Sequence, residues 1–140
     1  MIQRKQTLWL LLSTISSALT FKFPFFTGTT APDAKWVTGP ELTATDNIFL
    51  ILLSALTLLQ ALLAIILFKD RKKQLQITLL GLASSIGLVV LYVSYMNSFE
   101  PGGHIALTAV LNLFIILGFF FAIRGIRHDQ KLIKDLNRLR

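Results

Sequence analysis

Residues Ile48–Phe68 read IFLILLSALTLLQALLAIILF, a run of 21 residues without a charged side chain. Two more uncharged runs follow, 25 residues at Leu75–Phe99 and 19 residues at Ile105–Ile123. An α-helix rises about 1.5 Å per residue, so about 20 residues cross the roughly 30 Å hydrocarbon core of a bilayer. We therefore predict that each of these runs spans a membrane as a helix.

A shorter apolar run precedes these three. Gln6–Phe21 has 16 residues, which cover about 24 Å at helical rise. Lys22 can extend its ammonium group toward water while Phe23, Phe25 and Phe26 continue the apolar surface. We therefore predict a fourth span over residues 6–26.

The composition favours a membrane protein over a soluble one. Of the 140 residues, 54% are hydrophobic and 15% are charged, against roughly 45–50% and about 25% in soluble domains. A soluble four-helix bundle would keep a charged face on each helix, and the last three runs have none. A cleaved secretory signal is disfavoured because Ser17-Ala18-Leu19 is a poor cleavage site.

The distribution of basic residues predicts the orientation. With four spans, Lys22 and Lys35 lie on one side of the membrane and twelve basic residues lie on the other. The positive-inside rule makes the side with twelve cytoplasmic, so both termini are expected in the cytoplasm. Topology thus accounts for the net charge of +7, and no nucleic-acid partner is expected. The twelve are Arg4, Lys5, Lys69, Arg71, Lys72, Lys73, Arg124, Arg127, Lys131, Lys134, Arg138 and Arg140.

The predicted fold class is all-α, a polytopic membrane protein with four transmembrane helices in an antiparallel up-down bundle. A single membrane domain covers residues 1–140, with helices at about 6–26, 47–68, 75–97 and 104–123. An outer loop is expected at 27–45, and a basic amphipathic helix in a cytoplasmic tail at 124–140. Short turns at Lys69–Gln74 and Asn97–Gly103 make consecutive helices neighbours.

Each predicted span carries small or polar residues at helical spacing. Membrane helices associate through close packing of small residues and through hydrogen bonds, so we expect these stripes to face inward. The stripes include Ser13, Thr20, Ser54, Thr57, Ala61, Ala64, Gly81, His104 and Thr108. Six further polar residues fall within about one helical turn of the bilayer centre and are predicted to form one polar layer. They are Ser16, Ser17, Gln60, Ser84, Ser85 and Asn112.

The polar layer has three interpretations. It can join the helices through interhelical hydrogen bonds, each contributing about 0.6 kcal/mol on average. It can also line a path for a small polar solute or a proton, or receive a polar group of a partner helix. The first interpretation is favoured because no residue of the layer is ionisable, and ion or proton paths usually contain such a group.

The tail combines basic residues with apolar residues at roughly helical spacing, namely Ile126, Leu132, Ile133, Leu136 and Leu139. Such a helix places its leucines in the headgroup region and its cations near anionic phosphates, either continuing the fourth helix or bending onto the membrane. Alternatively, the leucines bury against a partner protein. Candidate contacts with lipid headgroups or a partner are Lys69, Arg71, Lys72, Lys73, Arg124, Arg127, Lys131, Lys134, Arg138 and Arg140.

The sequence contains no recognisable catalytic or cofactor-binding motif. It has no cysteine, no Gly-rich phosphate loop and no pair of carboxylates on a membrane helix. His104 lacks the neighbours that a metal site would need, so we expect it to be exposed or interfacial. Trp36 is expected at the outer membrane interface or on the helix ends. We therefore expect no enzymatic activity, no cofactor and no bound metal.

The two ends of the chain carry a family resemblance. The chain starts Met1-Ile2-Gln3-Arg4, and its tail has the pattern Asp-x-Lys-Leu-x-x-x-x-x-Arg-Leu-Arg from Asp129 to Arg140. These motifs resemble a bacterial family of small four-span membrane proteins known as a domain of unknown function, and the resemblance extends over the whole chain. It implies four helices in the inner membrane. It implies no activity and no site residue.

These observations favour a non-enzymatic accessory, scaffold or assembly subunit of the bacterial inner membrane. The hypothesis is motivated by the lack of charge within the spans and by the basic tail. The alternative is a small transporter or channel for a polar or neutral solute through the polar layer. The expected partners are the bilayer with its anionic headgroups and either another membrane protein or a second copy of the chain.

Overall fold

The computed structural model describes residues 5–37 and 39–140. Within them lie four helices and three two-residue strands, and 3₁₀ turns follow α2 and precede α4. The prediction of a helical fold is therefore confirmed, and the strands were not predicted. The elements are α1 (Lys5–Leu19), β1 (Phe26–Thr27), β2 (Glu41–Leu42), α2 (Ile48–Ile66), a 3₁₀ turn (Leu67–Lys69), α3 (Arg71–Met96), β3 (His104–Ile105), a 3₁₀ turn (Leu107–Ala109) and α4 (Val110–Arg138).

Two side-chain caps determine where α2 and α3 begin. Asn47 Oδ1 accepts a hydrogen bond from the backbone N–H of Phe49 at 3.0 Å. Asp70 Oδ1 accepts one from the N–H of Lys73 at 3.3 Å. Such caps satisfy backbone donors that have no partner within the helix. Because Asp70 caps α3, this helix begins at Arg71 and not at residue 75 as predicted, and Gln74 is a buried helical residue.

A small sheet closes one end of the helices. Its strand order is β2-β1-β3, both pairs are antiparallel, and Phe26 lies opposite Leu42 and Ile105. Helix α1 therefore ends at Leu19, seven residues before the predicted boundary at 26, and the fourth helix starts at Val110 instead of 104. A turn leads into β3 through Gly102, whose φ of 120° favours glycine.

Two clusters of buried hydrophobic residues lie along the helices. The cluster at the sheet end packs Phe25 and Phe26 on Leu50, Leu88 and Tyr92, and the rings of Phe25 and Tyr92 stack at 4.5 Å. The second cluster comprises Leu10, Ala61, Ala64, Ile115, Phe119 and Ala122. Phe25 and Phe26 therefore fill the interior at the sheet end, instead of continuing the apolar surface of a longer first helix as predicted.

Helix α2 exposes large apolar side chains and buries mainly small or polar ones. In α2 the buried residues are Leu50, Ser54, Thr57, Ala61 and Ala64. Leucines and isoleucines on its other faces are exposed, including Leu52 and Ile66. This pattern is the reverse of that in a water-soluble bundle. Within the described residues, three helical segments are long and apolar enough to cross a membrane, Ile48–Lys69, Arg71–Met96 and Leu107–Arg138.

The predicted tail is not a separate element. Helix α4 runs without a break to Arg138, so residues 124–138 continue the fourth apolar segment as one helix. Of the two arrangements expected for the tail, continuation is the one observed. From residue 131 onward every side chain of this segment is exposed. We call residues 124–138 the α4 extension.

Candidate functional site

The inward orientation of the polar stripes is confirmed for α1 and α2. Ser13, Ser16, Ser17 and Thr20 are buried in or just after α1, and Ser54 and Thr57 are buried in α2. Gly81 of α3 is also buried and meets the Phe119 ring of α4. In contrast, His104 lies in β3 and is exposed, so it does not belong to a helical stripe.

Five of the six residues of the polar layer lie at a similar height along the helices. The Ser13 hydroxyl of α1 donates to the carbonyl of Ile115 of α4 at 3.0 Å, so these two residues lie at the same height. Ser16 and Ser17 follow Ser13 by one helical turn, and Asn112 precedes Ile115 by about one turn. Since the two helices run in opposite directions, Ser16 and Ser17 lie level with Asn112. The contact of Gly81 with Phe119 similarly brings Ser84 and Ser85 level with Ile115.

Gln60 does not join this group. Leu53 of α2 lies beside Gly87 of α3, which places Ser54 level with Ser85. Gln60 follows Ser54 by six residues and is therefore about 9 Å further along α2. The layer consists of five of the predicted residues, and Ser54 joins them.

Hydrogen bonds between these helices come from outside the predicted layer. No two of its six residues are hydrogen-bonded to each other in the described chain, and the Ser85 hydroxyl donates to the carbonyl of Leu82 in its own helix at 2.8 Å. Two such bonds are made by Ser13, which bonds α4, and by Gln74, whose Nε2 donates to the carbonyl of Ala64 at 2.8 Å. The sequence spacing predicts Ser13 in a polar stripe, whereas it predicts Gln74 in a turn.

Three oxygens of the predicted layer are buried without a hydrogen-bond partner among the residues that the structure describes, Ser17 Oγ, Gln60 Oε1 and Asn112 Oδ1. A buried polar atom of this kind costs about 1–3 kcal/mol relative to one that is paired. Ser17 Oγ and Asn112 Oδ1 lie near mid-bundle, so these two atoms are available there to a further partner, either a solute or another side chain.

The predicted cytoplasmic cations lie at the opposite end from the sheet. Lys69 and Lys72 flank the turn between α2 and α3, and Lys73 forms an exposed ion pair of 3.5 Å with Asp70. Lys5 lies at the start of α1, and Arg71 is the first residue of α3. Five further cations lie in the α4 extension, and Arg140 follows it. Those five are Arg124, Arg127, Lys131, Lys134 and Arg138. Arg4 lies outside the described residues.

Arg71 and Gln130 join the turn to the α4 extension. The Arg71 guanidinium donates to the carbonyl of Asp129 at 3.1 Å. In the other direction, Gln130 Nε2 donates to the carbonyl of Arg71 at 3.2 Å. This reciprocal pair of bonds holds the two elements side by side beyond the apolar segments. Nothing in the sequence spacing indicated it, because the two residues are far apart in the chain.

The α4 extension has two different faces. Lys134 and Arg138 face the turn between α2 and α3, with which they line a groove. Leu132 and Leu136 are each two residues from Lys134, which places them about 200° around the helix. They are exposed, as is Leu139. We call Leu132, Leu136 and Leu139 the leucine face.

His104 and Trp36 lie on the surface at the sheet end. His104 is exposed, and the Thr27 hydroxyl donates to its backbone carbonyl at 3.5 Å. Trp36 is exposed in the loop between β1 and β2. In the part of the chain that the structure describes, no three His, Asp or Glu residues are grouped so that they could hold a metal ion.

Comparison with models of protein families identifies the family of the chain. The family model described as "Domain of unknown function (DUF4293)" matches residues 2–139. No curated protein and no solved structure matches the chain.

Proposed function

The chain belongs to the family DUF4293, a domain of unknown function, and we propose that this member is a four-span protein of the bacterial inner membrane. Its role is that of a non-enzymatic accessory or assembly subunit. It contacts its partner through the leucine face of the α4 extension, which stands in the cytoplasm. The observation that carries this proposal is the exposure of these leucines, at least half of each side chain, on a helix whose other face is held against the turn between α2 and α3.

The burial pattern of α1 supports a fourth span. Its buried residues are mainly polar, among them Gln6, Ser13 and Ser17, whereas Leu8, Leu11 and Ile15 are exposed. In water this arrangement would be unfavourable, and in lipid it is the expected one. At about 22 Å the helix is shorter than the hydrocarbon core, and such a difference is accommodated by local thinning and by extended lysine side chains such as that of Lys22.

Interhelical contacts support an up-down bundle. Gly125 and Gly118 of α4 pack against Gln6 and Ser13 of α1, respectively, so the two helices run in opposite directions. The contacts of Leu53 with Gly87 and of Ala64 with Gln74 give the same relation for α2 and α3. With basic residues concentrated at one end, the positive-inside rule places both termini in the cytoplasm.

A leucine face of this kind favours a protein partner. Residues 131–138 extend α4 by about 12 Å, and their leucines, Leu132 and Leu136, are 50% and 64% exposed. Exposed apolar residues grouped on one helix face are typical of helix-in-groove recognition. The neighbouring cations add attraction to an acidic rim on the partner.

Photo-crosslinking in native membranes tests the accessory role. A photoreactive residue at Leu136 should give one recurrent adduct of constant mass, because a bound partner covers that face. The matched control is Leu80 of α3, which is exposed to a similar extent, 59% against 64%, but lies within an apolar span. Absence of a recurrent protein adduct at Leu136, or the same adducts at both positions, would contradict the proposal.

A transporter or channel is the second candidate. The buried, unpartnered oxygens of Ser17 and Asn112 near mid-bundle favour it, since a polar solute could bond to them. Asn112→Leu would close such a path by replacing the amide with an apolar side chain. Flux of a neutral solute through proteoliposomes that is abolished by this substitution would support transport over the accessory role.

A further inference from the structure

A groove lies at the cytoplasmic end of the molecule, between the turn that joins α2 to α3 and the α4 extension. Its volume is about 960 Å³. One wall carries Lys69, Asp70, Arg71 and Lys72, and the other carries Gln130, Ile133, Lys134, Asn137 and Arg138. The groove is therefore lined by five basic side chains and one acidic side chain.

The charge of the groove is largely uncompensated. The Asp70 carboxylate accepts a hydrogen bond from the backbone N–H of Lys73 at 3.3 Å and forms an ion pair with the Lys73 ammonium at 3.5 Å. Lys73 does not line the groove. Across residues 5–37 and 39–140, none of the five basic residues of the groove forms an ion pair with a carboxylate. Like charges collected in a concave site raise the local potential, so the groove attracts a multiply charged anion.

The two walls are held in place before any ligand binds. Arg71 bonds the carbonyl of Asp129, and Gln130 bonds the carbonyl of Arg71. Arg71 uses one N–H in this contact, and the guanidinium has five, so donors remain for an anion. A groove with fixed walls loses little conformational entropy when it binds.

The groove also lies at the depth of lipid phosphates. Lys69 follows directly on the uncharged run that ends at Phe68, and Leu75 begins the next one. Under the proposed membrane orientation, the groove opens just outside the hydrocarbon core on the cytoplasmic side. Basic pockets at this position are suited to anionic headgroups.

The cations form two groups on the two walls. Lys69, Arg71 and Lys72 lie on the turn, and Lys134 and Arg138 are four residues apart on α4, on one face of the helix. A headgroup with a single phosphate contacts one group, whereas a headgroup with two phosphates can contact both. We propose that the groove binds the headgroup of an anionic phospholipid that carries two phosphate groups. This inference rests on the proposed membrane orientation and is independent of the accessory role.

Lipid titration of the full-length protein in detergent tests the proposal. The probes are cardiolipin, with two phosphates, phosphatidylglycerol, with one, and inorganic pyrophosphate as the free anion, each followed by native mass spectrometry. We expect cardiolipin to bind at least tenfold more tightly than phosphatidylglycerol, because it engages both groups of cations. Equal affinities for the two lipids would overturn the proposal, and so would pyrophosphate binding as tight as that of cardiolipin, which would indicate a site for a soluble anion.

A matched pair of variants locates the site. Lys134→Gln/Arg138→Gln removes one wall's cations and should reduce cardiolipin affinity at least tenfold, to the level of phosphatidylglycerol. Arg124→Gln/Arg127→Gln removes the same charge from exposed positions of α4 outside the groove and should have less than a twofold effect. Equal losses in both variants would contradict a defined groove. Crosslinking at Leu136 should persist in the groove variant, so failure of this proposal and failure of the accessory role are distinguishable.

Discussion

Gly118 of α4 lies directly against Ser13 of α1. A Cβ atom added at Gly118 would overlap the Ser13 hydroxyl and would stand 2.6 Å from the carbonyl oxygen of Trp9. The backbone of α1 cannot yield as a side chain can, so Gly118→Ala should separate the two helices. We expect it to lower stability by about 1–3 kcal/mol, the usual cost of overpacking, measured by SDS titration of the protein in mixed micelles.

Gly87 of α3 provides the control for this substitution. An added Cβ there would meet Leu53 Cδ2 at 3.6 Å, an ordinary contact. Because alanine favours a helix over glycine by about 1 kcal/mol, Gly87→Ala should leave stability unchanged or raise it slightly. Equal effects of the two alanines would show that α1 does not pack closely on α4.

The Ser13 hydroxyl is predicted to contribute modestly to the same contact. Ser13→Ala removes its hydrogen bond to the Ile115 carbonyl and should cost about 0.6 kcal/mol, the average for interhelical bonds in membranes. Ser94→Ala is the matched control, because the exposed Ser94 hydroxyl bonds only the Val90 carbonyl of its own helix. If Ser94→Ala is as destabilising as Ser13→Ala in the same titration, the interhelical bond has no measurable role.

Asn112 should be replaceable by an apolar residue without loss of stability. Its Oδ1 is buried and has no hydrogen-bond partner among the described residues, and leucine has the same branched skeleton with methyl groups in place of the amide, so Asn112→Leu removes a desolvated polar atom. We expect stability to stay equal or to rise by up to about 1 kcal/mol, measured by thermal unfolding in detergent. A clear loss would show that the amide makes a bond on which the bundle depends.

Gln130 is predicted to keep the α4 extension close to the turn. Since the chain has no cysteine, spin labels can be attached at Lys72→Cys and Asn137→Cys on the two walls of the groove. Gln130→Ala removes the bond to the Arg71 carbonyl and should broaden the distance distribution measured by double electron–electron resonance. Gln76→Ala changes an exposed glutamine of α3 and should leave the distribution narrow. A narrow distribution in both variants would argue against a role for Gln130.

The helices were predictable from the sequence because a long uncharged run has few alternatives to a helix in a bilayer. The apolar run Ile48–Phe68 corresponds to α2 and the turn after it. Inward-facing residues were also predictable, because small and polar side chains at positions such as Ser54 and Ala61 recur with the helical period. The approximate height of Ser16 and Asn112 followed from the same spacing.

Long-range pairings were not predictable from local pattern. The strand Phe26–Thr27 pairs with residues 41–42 and 104–105, and each partner is too short to show an alternating pattern. The same limit applies to the contact of Arg71 with Asp129, which depends on how far α4 extends past α3. Gln74 was misplaced because a cluster of charges beside it resembled a loop, whereas the Asp70 cap starts the helix within that cluster.

Single-cysteine accessibility tests most directly whether four helices span the membrane with both ends in the cytoplasm. The cysteine-free chain permits Lys5→Cys at the start of α1, Lys35→Cys in the outer loop and Asn137→Cys near the end of α4. In intact cells whose outer membrane has been permeabilised, a membrane-impermeant maleimide should label Lys35→Cys alone. The other two should react after the inner membrane is opened. Labelling of Lys5→Cys together with Lys35→Cys, while Asn137→Cys stays protected, would place the two ends on opposite sides and contradict a fourth span.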